Sequence, residues 1–97
     1  MYAVIFTATT KAPDQSYSDA VENLRNLAFE KYNCIEFNAV TEGENEIAIS
    51  YWHSEDDIKR WKQDANHLFA QEQGQQKWYQ KYKVQVVKIA REYSFGS

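Results

Sequence analysis

Ninety-seven residues carrying a formal net charge of −3 and 43% hydrophobic content suffice for one folded domain, residues 1–97, and leave no room for a second. The acidic balance removes the attraction to phosphates on which nucleic-acid binding rests. The apolar opening MYAVIFTATT is too short to span a membrane and lacks the basic lead and small-residue cleavage site of a signal peptide, so the expected location is the cytoplasm.

In chain order, residues 2–10 are β-branched and aromatic with little charge, a strand pattern with both faces apolar. Pro13 lies in the break that follows. Ser16 and Asp19 form a capping-box-like start, and Tyr17, Ala20, Val21, Leu24, Leu27 and Ala28 then recur at helical spacing, predicting an amphipathic helix over 17–31. Asn33 suits a left-handed helix stop. Cys34, the single cysteine, excludes an intrachain disulfide and reads as a small buried hydrophobe in a reducing compartment.

A strand over 34–40, a hairpin loop over 41–45 containing Gly43, and a return strand over 46–53 follow. The acidic run from Glu42 to Glu46 reads as a solvated hairpin tip. Ser54 and Asp57 make a second cap, Glu55 and Asp56 favour a helix N-terminus, and Ile58, Trp61, Ala65 and Leu68 mark the buried stripe of a second helix. Gly74 weakens that helix, Trp78, Tyr79 and Tyr82 lead out of it, and a last strand is predicted over 82–93. Lys77, Lys81 and Lys83 form a modest basic patch, complementary to the acidic tip across a dimer.

The order β-α-β-β-α-β is the ferredoxin-like, split βαβ arrangement of the α+β class, an antiparallel sheet with both helices on one face. Strands 1, 3 and 4 nevertheless carry apolar residues on both faces. Burial of the second face against another copy of the chain is the expected outcome, a homodimer with its two sheets facing each other.

The segment IAISYWHSEDDIKRWKQDANHLFAQEQG, followed by WYQKYKVQVVKIAREYSF, resembles the antibiotic biosynthesis monooxygenase-like (ABM domain) family, whose members are dimeric α+β barrels. The matching features are a strand ending in Tyr51 and Trp52, the acidic cap Ser54 to Asp56, and Trp61 after Ile58. Ala65 to Gln71, Gly74, the Trp78-Tyr79 pair and the ending Arg91-Glu92-Tyr93 also match. The resemblance implies oxidation of a small electron-rich phenolic or quinol substrate by O2 without metal or flavin. It also opens a haem-degrading branch, in which a helical histidine ligates haem; this chain has Gln71 at that position, and its first strand lacks the asparagine of that branch. Haem binding is therefore disfavoured.

His67 lies at the edge of the second helix's buried stripe, where an imidazole titrating near neutrality can take a phenolic proton. It is the candidate base. Trp52, Trp61, Tyr51 and Trp78 offer flat surfaces and N–H or O–H donors for an aromatic ligand, and Asn38, Asn66 and Gln71 add amide groups. The bland reading assigns these aromatics to core and interface and leaves a non-catalytic dimeric module for a small ligand or a structural, stress-related role. His53 and His67 have no third ligand in a metal-binding pattern, so no metal is assigned. No phosphate-cradling glycine loop, nucleophile elbow or H-E-x-x-H helix is present.

Overall fold

The β-branched and aromatic run at the start of the chain forms β1 (Tyr2–Thr10), with the bounds its composition dictates. The computed structural model describes residues 1–71 and 75–96, and for 67–71 and 75–76 the backbone alone. After the turn, α1 (Gln15–Lys31) begins two residues before the sequence-predicted start. Its cap is Asp14, whose carboxylate accepts from the Tyr17 N–H at 3.0 Å. Ser16 is already inside the first turn, because the residue three positions before Tyr17 is the one that can reach its amide.

Asn33 ends the helix in the left-handed region, at φ 63, and the Cys34 N–H turns back to the Ala28 carbonyl at 3.0 Å. That tie keeps Cys34 out of the sheet, so pairing starts with Ile35 N–H to the Tyr51 carbonyl and β2 (Glu36–Glu42) lies two residues later than its composition suggests. Gly43, at φ 60, takes the first central position of a two-residue turn into β3 (Asn45–Trp52). Ser54 caps α2 (Glu55–Gln71), its Oγ accepting from the amides of Asp56 and Asp57 at 3.1 and 3.4 Å. A single turn, α3 (Gln75–Trp78), leads directly into β4 (Tyr79–Lys88).

The four strands are antiparallel in the order β2-β3-β1-β4, and α1 and α2 cover one face, which gives the α+β, ferredoxin-like topology. Register sets the inner rows: Val4 stands between Ser50 and Val86, Phe6 between Ala48 and Val84, Ala8 between Glu46 and Tyr82. Two core clusters lie along this face. One joins Val4, Ala28, Cys34, Trp52 and Ile58; the other joins Ala8, Tyr17, Ala20, Trp78 and Tyr79.

The last strand corrects the sequence reading at both ends. It starts at Tyr79, opposite Thr10 across a register shift, and closes at Lys88 opposite Tyr2. One further bond follows, Ile89 N–H to the Met1 carbonyl, and residues 90–96 take no regular structure. The side chains of Tyr93 and Phe95 in that tail are exposed. On the sheet face away from the helices, Ile5 lies between Ile49 and Gln85, and Val40, Ile47 and Val87 are exposed to 67%, 44% and 37%.

Candidate functional site

The helices do not close completely onto the sheet. Between them lies a cavity of about 470 Å3, within the range typical of small-molecule sites. Val4, Phe6, Ala48 and Val84 form its floor, Val21 and Leu24 of α1 one wall, and Ile58, Trp61 and Ala65 of α2 the other. Phe37 and Ala39, on the edge strand β2, complete the apolar lining. Among the described residues, the polar groups at its surface are Glu46, Ser50, Lys62, Asn66, Tyr79 and Tyr82.

Glu46 is the unusual member of this set, a carboxylate of which only 7% is exposed. Burial of a charge is costly unless hydrogen bonds replace water. Tyr17 supplies one, its hydroxyl donating to Glu46 Oε2. The Tyr79 hydroxyl in turn donates to Tyr17 Oη at 3.2 Å. Burial, reinforced by the bond to Glu46, pushes the Tyr17 phenol far above its ordinary range. Burial also pushes Tyr79 up to about 12. Both phenols therefore keep their protons at ordinary pH and donate in sequence toward the carboxylate.

Aromatic packing fixes this chain in place. Tyr17 meets Trp78 and Tyr79 edge-on, with centroids 5.4 and 5.7 Å apart, and Phe6 packs on Tyr79 and Tyr82 at 5.6 and 5.8 Å. At the other end, the Trp61 indole N–H donates to the Leu24 carbonyl at 3.0 Å, tying α2 to α1, and its ring leans on Trp52 and Phe37. A second cavity of about 440 Å3 runs along α1 and β2 and shares Val21, Phe37, Ala39 and Glu46 with the first. The carboxylate thus stands where the two spaces adjoin.

Of the residues singled out from the sequence, Trp61 and Asn66 line the cavity. Trp52 is wholly buried behind Trp61, its N–H bonded to Ser50 Oγ at 2.8 Å. Trp78 is likewise wholly buried, against Tyr17, and neither ring is part of the cavity wall. Tyr51 and Asn38 do not line it, because strand alternation turns them to the opposite face: Tyr51 pairs with Ala3, and Asn38 with Ile49. The side chains of His67 and Gln71 lie outside the described residues. His67 follows Ala65 and Asn66, both cavity-lining, in the sequence of α2.

Sequence reasoning missed Glu46, Tyr17 and Tyr79 as a functional group. Glu46 reads as part of an acidic hairpin tip, but the turn occupies only Gly43 and Glu44, and Glu46 shares its face of β3 with Ala48, Ser50 and Trp52. That alternation was the available signal. Lys77, assigned to a cross-dimer patch, pairs within the chain with Asp14 at 3.5 Å.

Cys34 is buried, with its thiol directed at the Glu36 and Tyr51 carbonyls. Burial pushes its pKa up, the opposite of what a thiolate nucleophile needs. Among the described residues, no three His, Cys, Asp or Glu side chains are placed to hold a metal ion, and no helix is long and apolar enough to cross a membrane.

No protein-family model matches the chain. It is 34% identical to the uncharacterised protein YqjZ of Bacillus subtilis over 95 residues, covering 97% of this chain and 83% of YqjZ. Among solved structures it is similar to Rv0793 of Mycobacterium tuberculosis, at TM-score 0.77 and 12% identity over 96% of this chain and 98% of that one. SnoaB of Streptomyces nogalater, described as a cofactor-independent oxygenase, superimposes at TM-score 0.74 and 9% identity over 94% of each chain. A candidate antibiotic biosynthesis monooxygenase of Nitrosomonas europaea matches at TM-score 0.72 and 12% identity, over 94% of this chain and all of that one. At these identities the structural likeness establishes the fold.

Proposed function

Because the chain belongs to the same family as YqjZ of Bacillus subtilis and has the antibiotic biosynthesis monooxygenase-like fold, we propose that it is a cofactor-independent monooxygenase acting on a small electron-rich phenol or quinol. The observation that carries this reading is the cavity itself, an apolar chamber with few polar groups between sheet and helices. Such a lining suits a flat aromatic molecule, with Trp61 as one wall and hydrogen bonds confined to a few points.

The chemistry requires no resident cofactor. Removal of a proton from the substrate gives an electron-rich anion, which passes one electron to O2, and the resulting radical pair joins to form a C–O bond. Loss of water then leaves a carbonyl. A phenol plus O2 becomes a quinone plus water, so one oxygen atom enters the product, the other leaves as water, and all the reducing electrons come from the substrate. His67 is the proposed base, with Asn66 beside it in sequence as a donor to the substrate oxygen. Pairing of two copies through the face that bears Ile5, Val40, Ile47, Ile49 and Val87 completes the proposed molecule, and burial of this apolar surface would drive it.

Uptake of 18O2 in the presence of a panel of polycyclic phenols, with one labelled oxygen sought in the product, tests the activity. The expected result is stoichiometric conversion to a quinone, lowered about a hundredfold or more in His67→Ala, the typical contribution of a positioned general base. Tight binding with no uptake on any substrate would instead make the protein a ligand-binding module.

A further inference from the structure

The buried carboxylate narrows the kind of molecule that fits. We infer that Glu46, held by Tyr17, is the recognition group for a hydroxyl on the ligand's aromatic frame, an inference that rests on the cavity being the ligand site. Glu46 is on the cavity surface and nearly inaccessible to bulk water. Tyr17 engages its Oε2. Tyr79 and Tyr17 both donate toward it, so the chain ends on an acceptor. A carboxylate has acceptor sites beyond the one Tyr17 takes, and a hydroxyl that enters the cavity can donate to them where an ether or a bare ring edge cannot.

The consequence is a sorting rule. Hydroxylated aromatics are taken, ethers of the same shape lose the bond, and aromatic carboxylates are repelled. A carboxylate also raises the pKa of a phenol bound to it. The anchored hydroxyl therefore stays protonated, and a different position on the same frame gives up its proton and reacts with O2. The substrate class is an aromatic carrying at least one such anchoring hydroxyl besides its reactive position.

Equilibrium dialysis at neutral pH with 1-naphthol, 1-methoxynaphthalene and 1-naphthoate, on the wild-type protein and on the near-isosteric Glu46→Gln, reads this directly. The wild type is expected to bind the naphthol about tenfold more tightly than its methyl ether, the scale of one hydrogen bond to a charged group, and to reject the naphthoate. In Glu46→Gln the naphthol preference should shrink severalfold, and naphthoate binding should appear. Equal affinity of the wild type for naphthol and ether overturns the assignment of Glu46 while leaving the cavity as the ligand site, and needs no variant to be seen. Failure of every probe to bind overturns both. A merely structural Glu46 would lower all affinities together and would not admit the naphthoate.

Discussion

At the scale of single residues, the Tyr79–Tyr17–Glu46 chain has a consequence for alkaline stability. The two phenols have raised pKa values in the folded protein, so the unfolded chain releases their protons first, near the ordinary value of 10.0. Above that pH the unfolded state binds fewer protons than the native one, and stability falls as pH rises. It should therefore be unaffected by these groups below about pH 10 and then decline, with the share of Tyr79 continuing to about 12, at up to ~1.4 kcal/mol per pH unit for each tyrosine. Denaturant titrations across this range should show a gentler decline in Tyr17→Phe, together with a loss of about 1–3 kcal/mol at neutral pH from leaving Glu46 without its donor. An unchanged alkaline slope would mean that Tyr17 is not in this chain. Helical spacing places Trp61 on the buried stripe of α2, and in the structure it stands at the cavity surface. Glu46 was hidden because a carboxylate near a turn is ordinarily solvated, although its alternation with Ala48, Ser50 and Trp52 along β3 set it on their face.

Among the elements, those governed by local chemistry were the most legible. The run Tyr2–Thr10 became β1 without adjustment, Ser54 caps α2, and Asn33 adopts the left-handed stop. Errors arose where tertiary contacts decide the boundary. Cys34 is held back by the end of α1, β4 closes at Lys88 opposite Tyr2, and Asp14 rather than Ser16 caps the first helix. The caps can be checked in pairs by thermal denaturation. Ser54→Ala should cost about 1 kcal/mol, because two amides lose their acceptor. Asp14→Ala should lower the melting temperature where Ser16→Ala leaves it nearly unchanged; the reverse order would place the cap at Ser16.

For the whole molecule, one sheet supports two different surfaces. Its inner face is covered by α1 and α2 at a distance that leaves room for a ligand, and its outer face presents Val40, Ile47 and Val87 to solvent. The order of the strands and the side taken by the helices were legible because β-α-β-β-α-β permits few other packings. The cavity was not legible in shape, since it depends on how far two helices stand from a sheet, and Tyr51 and Asn38, named as candidate ligand residues, are not among the residues that line it. The most direct test of the ligand site is a crystal structure of the protein soaked with 1-naphthol. The expected result is the bicyclic ring beside Trp61 between the sheet and α2, with its hydroxyl within hydrogen-bond distance of the Glu46 carboxylate. Naphthol bound only on the outer face, or absent from this cavity at saturating concentration, would contradict it.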